Sequence, residues 1–396
     1  MSDKYPKGFI INGVMAGIKT AETFDMGIIY SKSPCQYAGM FTINKIQAAP
    51  VKICKERLNN PIHGVIVNSK NANSFTGKRG LNDAYKMTEI VERELNLKEN
   101  SVLPSSTGVI GEYLPMEKIE NGIKMLCNKV NHEENNPHFF AKSILTTDTT
   151  VKEISKEIEI NGKKVRLYGA CKGSGMIFPN MATMLAFIVS DMSISKTLLQ
   201  KALENVVDCS FNSISVDGDM STNDCIILLS NGEAGNIIIE NEDQNYNLFV
   251  DALKEISVFL AKSIVRDGEG ATKFIEICVK GALTNDDARK CTSHLANSLL
   301  VKTAFFGEDA NWGRFIYAVG ASGCEVDETK VDITLGDITL VKQGVRANFT
   351  EDQTSKYMKN HDLYLEINLN LGECSKTMYT CDLSYDYVKI NASYRS

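Results

Sequence analysis

The sequence predicts an α+β layered sandwich followed by a smaller C-terminal unit, on three observations. Strand and helix patterns come in blocks instead of strict βαβ alternation. The chain has 396 residues, of which 43% are hydrophobic and 23% charged, enough to bury a large core and to form two or three structural units. No repeat of solenoid period, no heptad seam and no low-complexity tract breaks that pattern.

From Gly8 to about Asn73 the pattern is short strand-forming runs, such as Ile28 to Tyr30 and Gly64 to Asn68, broken by Gly and Asn. A helical stretch follows, roughly Asn82 to Leu97. The segment NHEENNP, Asn131 to Pro137, is polar and turn-forming and reads as a surface loop. Lys164 to Ala170 and Met184 to Asp191 read as strands flanking a glycine-rich connector. Three amphipathic helices are expected next, at about Lys196 to Ser210, Asn247 to Arg266 and Asp286 to Thr303. From about Val331 to Tyr394 the sequence returns to alternation, as in VDITLGDITLV and LYLEINLNL.

A net charge of -6, from 43 basic and 49 acidic residues, gives no general field to attract phosphate backbones or anionic membrane. Nucleic acid and membrane are therefore not expected partners. Met1 to Gly13 lacks an apolar run of signal-peptide length, and no later stretch has the length to span a bilayer, so a cytoplasmic location is the expectation. The eleven cysteines are scattered with no CxxC pair, which favours reduced, mostly buried thiols.

The sequence holds no GxSxG elbow, HExxH, GxxxxGK[ST] or GxGxxG opening a helix. The five histidines, His63, His132, His138, His294 and His361, form no ligand-spaced pair, so a zinc site or a histidine triad has no support. SVDGDMSTND, Ser215 to Asp224, lacks the glycine and terminal glutamate of a calcium loop at the required spacing. No metal is expected. Asp309, Asn311, Trp312 and Arg314 form a conspicuous cluster around the single tryptophan and read as a structural corner or interface anchor.

The most informative stretch is GACKGSGMIFPNMATMLAFIVSD, Gly169 to Asp191, where a flexible Gly/Ser connector and Pro179 lead into an apolar strand with Thr183 near its start. On spacing alone Thr183 is an ordinary β-branched strand residue. The longer motif KGSGMIFPNMATML, however, resembles the signature of the ornithine acetyltransferase family, the bifunctional glutamate N-acetyltransferases of the cyclic arginine pathway. The resemblance extends over nearly the whole chain through AGIK (Ala16 to Lys19), FTINKIQAAPV (Phe41 to Val51), VNSKNAN (Val67 to Asn73), STGVIG (Ser106 to Gly111), TTDT (Thr146 to Thr149), STND (Ser221 to Asp224), GEGATK (Gly268 to Lys273), GEDANWGR (Gly307 to Arg314) and YVKINASYRS (Tyr387 to Ser396). Departures are Lys70 where Gly is expected, Ala310 where Pro commonly stands, and Ser396 where Thr is usual.

The resemblance implies a self-cleaving, N-terminal-nucleophile-like αββα sandwich with a smaller C-terminal α/β unit. It implies autocleavage between Ala182 and Thr183, giving fragments 1–182 and 183–396, with about 280–396 a C-terminal subdomain. The fragments are expected to stay together as a heterotetramer or higher oligomer. The freed Thr183 would carry acetyl from N2-acetyl-L-ornithine to L-glutamate. A threonine hydroxyl is a weak nucleophile without a base. Cleavage supplies one, since an α-amine has a reference pKa of about 7.7–8.0 and is partly neutral near neutral pH.

By the same resemblance Thr107 and Gly108 hold the oxyanion of the tetrahedral intermediate, and Gly108 suits the part because nothing on its Cα shields its N–H. Substrate contacts fall on one or both of Thr146 and Thr147, and on Lys172, Thr183, Glu269, Asn391 and Ser396. Lys172 is the expected partner of a substrate carboxylate, and the carboxylate of Ser396 is expected to help receive an ammonium. No cofactor is required. Some members of the family also accept acetyl-CoA as donor, and the sequence leaves both kinds open. Two other readings differ in class: an amidohydrolase or aminopeptidase on the same self-cleaving fold, in which water replaces glutamate, and a binding protein that never cleaves.

Overall fold

The structure, a computed structural model, describes residues 4–20, 22–178 and 184–393. Its elements in chain order are β1 (Phe9–Val14), β2 (Met26–Phe41), α1 (Ala49–Glu56), β3 (Ile62–Asn68), α2 (Gly77–Glu94), β4 (Val102–Ser106), α3 (Met116–Asn131), α4 (Pro137–Ser143), β5 (Lys152–Ile160), β6 (Lys163–Lys172), β7 (Leu185–Ser190) and α5 (Lys196–Asp208). There follow β8 (Ile214–Ser215), β9 (Cys225–Ser230), α6 (Gln244–Arg266), β10 (Phe274–Ala282), α7 (Asn285–Asn297), α8 (Leu299–Phe306), α9 (Trp312–Ala321), β11 (Asp332–Leu335), β12 (Ile338–Lys342), β13 (Val345–Arg346), α10 (Glu351–Met358), β14 (Asp362–Asn368), β15 (Cys374–Cys381) and α11 (Tyr385–Ala392). They divide into two compact units, one of residues 1–173, 180–212 and 220–260, the other of 174–179, 213–219 and 261–396.

The first unit is the predicted αββα sandwich, and the device that makes it is the 16-residue strand β2. Its N-terminal half pairs with β1 and β3, its register shifts between Tyr30 and Cys35, and its C-terminal half pairs with β9. The strand order β4-β3-β2-β9-β7-β6-β5 therefore turns about β2 into two layers. Period-2 alternation sorts the side chains. Phe9, Ile11, Ile29, Val65 and Val67 face the opposing layer's Tyr168, Leu185, Phe187, Val189, Ile227 and Leu229 in one buried cluster.

The intervening residues Ile10, Val14, Ile28 and Ile66 point the other way, onto Met87, Ile90, Ile119, Ile123 and Leu126 of α2 and α3. On the far face α6 lies tightly on β6. A Cβ at Gly169 would come within 2.8 Å of Ile256 and 2.9 Å of Leu260, so a larger residue there would have to push these side chains aside. Both faces of these strands are buried, which is why their sequence reads as near-continuous apolar runs.

The second unit has a seven-stranded sheet of order β13-β12-β11-β14-β10-β15-β8. Ile275, Ile277, Val279, Leu363, Leu365 and Ile367 of β10 and β14 bury against Cys291 and Leu295 of α7, Phe305 of α8 and Phe315 of α9. The single helix expected over Asp286 to Thr303 is broken at Ser298, whose extended backbone (φ -67°, ψ 116°) ends α7 and whose hydroxyl caps the Val301 N–H to start α8. Arg314 donates to Leu300 O at 3.0 Å and Thr303 Oγ1 at 3.2 Å, fixing the corner between α8 and α9. Among the described residues the cysteines are free thiols, and no helix is long and apolar enough to cross a membrane.

Candidate active site

In the first unit the turn after β4 carries Thr107 and Gly108. Thr107 is buried and donates its N–H to Asn68 O at 3.0 Å. Gly108 has φ +129°, and a Cβ there would lie 2.1 Å from Lys70 O. The Gly108 N–H meets no acceptor among the described residues. An uncommitted donor in a fixed turn is what an oxyanion site requires. Lys70 adopts φ +90°, which explains the expectation of Gly at that position and puts a strained residue under the turn.

A network of side-chain amides holds this turn. Asn68 Nδ2 donates to Asn71 O at 3.0 Å, and Ser106 Oγ donates to Asn68 Oδ1 at 2.6 Å. Asn223 Nδ2 donates to both Ala72 O (2.6 Å) and Ser106 O (2.8 Å). The next residue, Asp224, accepts the Met184 N–H on Oδ1 at 3.1 Å, while its Oδ2 is buried without a partner among the described residues. Met184 directly follows the expected nucleophile. Ala182 and Thr183 themselves lie outside the described residues. Burial pushes the Asp224 carboxyl well above the usual carboxylate range, against the opposing pull of Lys172, the Met184 N–H, Ser221 and Thr42.

Lys172 ends β6 opposite Leu185 in the ladder and is 3% exposed. Beside it is the buried Asp148, which accepts from Lys152 Nζ at 2.6 Å, from Gly173 N–H at 2.7 Å and from Thr146 N–H at 3.0 Å. Burial alone would raise the Asp148 pKa. Lys152, Lys172 and the Gly173 N–H outweigh it and hold the carboxyl below its ordinary value. Thr146 and Lys172 are thus brought to one charged cluster organised by Asp148, which follows Thr147 in TTDT and was not among the residues singled out from the sequence.

In the second unit the turn after α6 carries Glu269, whose N–H donates to Ser174 O at 2.8 Å. Asn391 Nδ2 of α11 donates to Glu269 Oε2 at 2.9 Å, so these two predicted residues meet. The connector residue Gly175 packs on the same carboxylate, where a Cβ would sit 2.4 Å from it. Asp217 fixes the rest of the connector by accepting the Met176 and Ile177 N–H groups at 2.6 and 2.8 Å. It also accepts from Tyr387 Oη at 3.2 Å. Burial pushes the Asp217 carboxyl up against these donors. Ser396 lies outside the described residues. Among the described residues no group of three or more His, Cys, Asp or Glu side chains is placed to hold a metal ion.

Residues 10–396 match the model of the ArgJ family. The "Arginine biosynthesis bifunctional protein ArgJ" of Oceanobacillus iheyensis is 46% identical over 393 residues, covering 99% of this chain and 95% of that protein. The protein of the same name from Caldanaerobacter subterraneus subsp. tengcongensis is 44% identical over 396 residues, covering 99% and 98%. The crystal structure of arginine biosynthesis bifunctional protein argJ from Bacillus halodurans superposes with a TM-score of 0.51 at 42% identity, over 52% of this chain and 98% of that one.

Proposed function

Since this chain belongs to the ArgJ family and is an acetyltransferase of arginine biosynthesis, we propose that it cleaves itself between Ala182 and Thr183 and transfers acetyl from N2-acetyl-L-ornithine to L-glutamate through acetyl-Thr183. The observation that carries this reading is the unpartnered N–H of Gly108, tied through Ser106, Asn223 and Asp224 to the Met184 N–H, one residue past the nucleophile.

The α-amine of the cleaved Thr183 takes the hydroxyl proton as Oγ attacks the acetyl carbonyl. Negative charge then develops on the carbonyl oxygen, where the Gly108 N–H and the Thr107 hydroxyl are assigned to receive it. Collapse breaks the C–N bond, the proton passes to the departing ornithine amine, and glutamate repeats the attack on the acetyl-enzyme. Lys172, with Thr146 and Thr147, is assigned a substrate carboxylate and its polar neighbours. Glu269 and Asn391 are assigned an ammonium, and Ser396 a further substrate contact. Acetyl-CoA as a second donor belongs to the same proposal.

The sheet explains how a cut chain would hold together. Strands β7 and β9 follow the cut, yet they lie between β6 and β2, which precede it, and β7 pairs with β6 from Leu167↔Ser190 to Lys172↔Leu185. Fragments 1–182 and 183–396 therefore share one buried sheet, and we expect them to copurify as a heterotetramer or larger assembly. Intact-mass analysis tests the cut, and a native mass tests the assembly. Thr183→Ala should give a single uncut chain with no acetyl transfer. Transfer that persists in that variant would sink the mechanism. An acetyl-enzyme hydrolysed as fast without glutamate as with it would favour the amidohydrolase reading.

A further inference from the structure

The first unit carries a cleft of about 580 Å³ that the chemistry above does not use, lined by Lys45, Ile46, Lys52, Phe75, Lys78 and Leu81 among others. Among the described residues no acidic side chain lines it. Its three lysines make no ion pair and no side-chain hydrogen bond among the described residues, in a protein whose net charge is -6. Three uncompensated cations around one concavity repel one another, and an anion placed among them relieves that repulsion.

The apolar part of the lining is equally unusual. Phe75 is 77% exposed, has φ +58°, and stands between the buried Ser74 and Thr76. A bulky residue at positive φ is a real outlier, and it persists only where its surroundings enforce it. Here they do: Thr76 Oγ1 donates to Asn73 Oδ1 at 2.8 Å, and Asn73 Nδ2 donates to Gly80 O at 2.8 Å. The loop is locked, and the ring is held out at the cleft. Ile46, 51% exposed, adds a second apolar surface. Helices α1 and α2 both begin at the cleft, and neither has a side-chain cap or an acid in its first turn. Their positive ends add to the field of the lysines.

From these features we propose that the cleft binds a phosphorylated nucleotide, with its phosphates among Lys45, Lys52 and Lys78 and its base against Phe75. The volume suits a ligand of that size. Lysines match phosphate as point charges, and an aromatic face accepts any base by stacking. The loop that carries Phe75 leaves the Asn71–Val109 bridge and is pinned by Asn223 at Ala72 O. Occupancy would thus be felt by the same frame that holds the Thr107–Gly108 turn. Two sources share this chemistry: the nucleotide portion of a coenzyme A thioester donor, and a free nucleotide acting as effector.

The test uses the purified full chain and calorimetric titration with ADP, adenosine and inorganic pyrophosphate in a phosphate-free buffer. ADP should bind one per chain and more tightly than either part. Its affinity should fall about tenfold or more in K45Q/K52Q/K78Q, and it should fall as ionic strength rises. Phe75→Ala should weaken ADP by about tenfold and leave pyrophosphate unchanged. No ADP binding at about 5 mM, or equal affinity in wild type and the triple-lysine variant with unchanged melting temperature, overturns the proposal.

Activity then separates the sources. A KM for acetyl-CoA raised about tenfold in the lysine variant, with acetylornithine-dependent transfer unchanged, marks the cleft as the donor's nucleotide handle. ADP altering acetylornithine-dependent transfer in wild type but not in the variant marks it as an effector site. The binding measurement does not depend on Thr183, so it stands or falls separately from the transfer mechanism.

Discussion

The predicted site residues of the two units are held in different ways. In the first, Lys172, Asp148, Lys152 and Asp224 are all buried, each held by strand ends or by backbone N–H groups. In the second, the predicted ammonium-side contacts rest on α11, eight residues long with no buried side chain. That helix is held by the Ser384 cap, by Tyr387 on Asp217 and by Asn391 on Glu269. Buried charge is costly to rearrange, so the first group arrives at the reaction already organised. A surface helix with no buried face is inexpensive to displace, so the second group suits contacts that form and break with each substrate.

The strongest way to break this contrast is Asp148→Asn. It removes the negative charge that buried Lys152 meets at 2.6 Å and that faces Lys172, a change that typically costs about 3–5 kcal/mol. Thermal unfolding should show a large drop in Tm. The pH dependence has a definite sign: the Asp148 pKa is depressed in the fold, so its stabilisation is present above its unfolded pKa and is lost as pH falls through the lower folded value. A variant as stable as wild type at neutral pH would remove the case for a charged scaffold.

Next in size is Gly108→Ala. The φ of +129° disfavours alanine, and the added Cβ would clash with Lys70 O at 2.1 Å, so the turn must shift and its N–H moves off target. Loss of one oxyanion donor costs about 100- to 1,000-fold in kcat with little change in KM. An effect on KM alone would make the turn a binding element and refute the oxyanion role.

The sandwich was legible because its strands bury both faces, giving unbroken runs such as Ile62–Asn68 and Leu185–Ser190 whose β content survives any reading frame. Helix α3 was not predicted although Ile119, Ile123, Leu126 and Val130 recur at helical spacing; Pro115 before it and Gly122 within it weaken the local helical signal. Glu269 and Asn391 were found only by resemblance, since a surface acid and a terminal amide carry no local pattern of their own. The roles of Asp148, Asp217 and Asp224 were not legible at all. Each works by collecting backbone N–H groups from residues that in two cases lie about forty positions away, and such partners are fixed by the fold, not by spacing.

A smaller effect sharpens the comparison inside the first unit. Asp224→Asn keeps an oxygen to accept the Met184 N–H but cannot ionise. The folded Asp224 pKa is raised by burial, so the group's contribution to stability is complete below its unfolded pKa and disappears as pH rises through the folded value. Asn should therefore flatten the loss of Tm toward alkaline pH and match or exceed wild-type stability at pH 8. If the pH–stability curve is unchanged, Asp224 is not the titrating group. If activity falls while the flattening occurs, the Asp224 carboxyl serves the reaction beyond positioning Met184.

The smallest expected effect tests the second unit. Asn391→Ala removes the 2.9 Å bond to Glu269 on an exposed helix, so stability should change by only about 1 kcal/mol or less. The carboxylate then loses the donor that fixes its direction. A substrate ammonium would still be attracted but would have to order Glu269 on binding, raising KM for N2-acetylornithine by roughly fivefold while kcat stays near wild type. Glu269→Gln should raise the same KM further, because it removes the charge as well as the direction. A fall in kcat of the size expected for Gly108→Ala would place α11 within the preorganised machinery and erase the distinction between the two units.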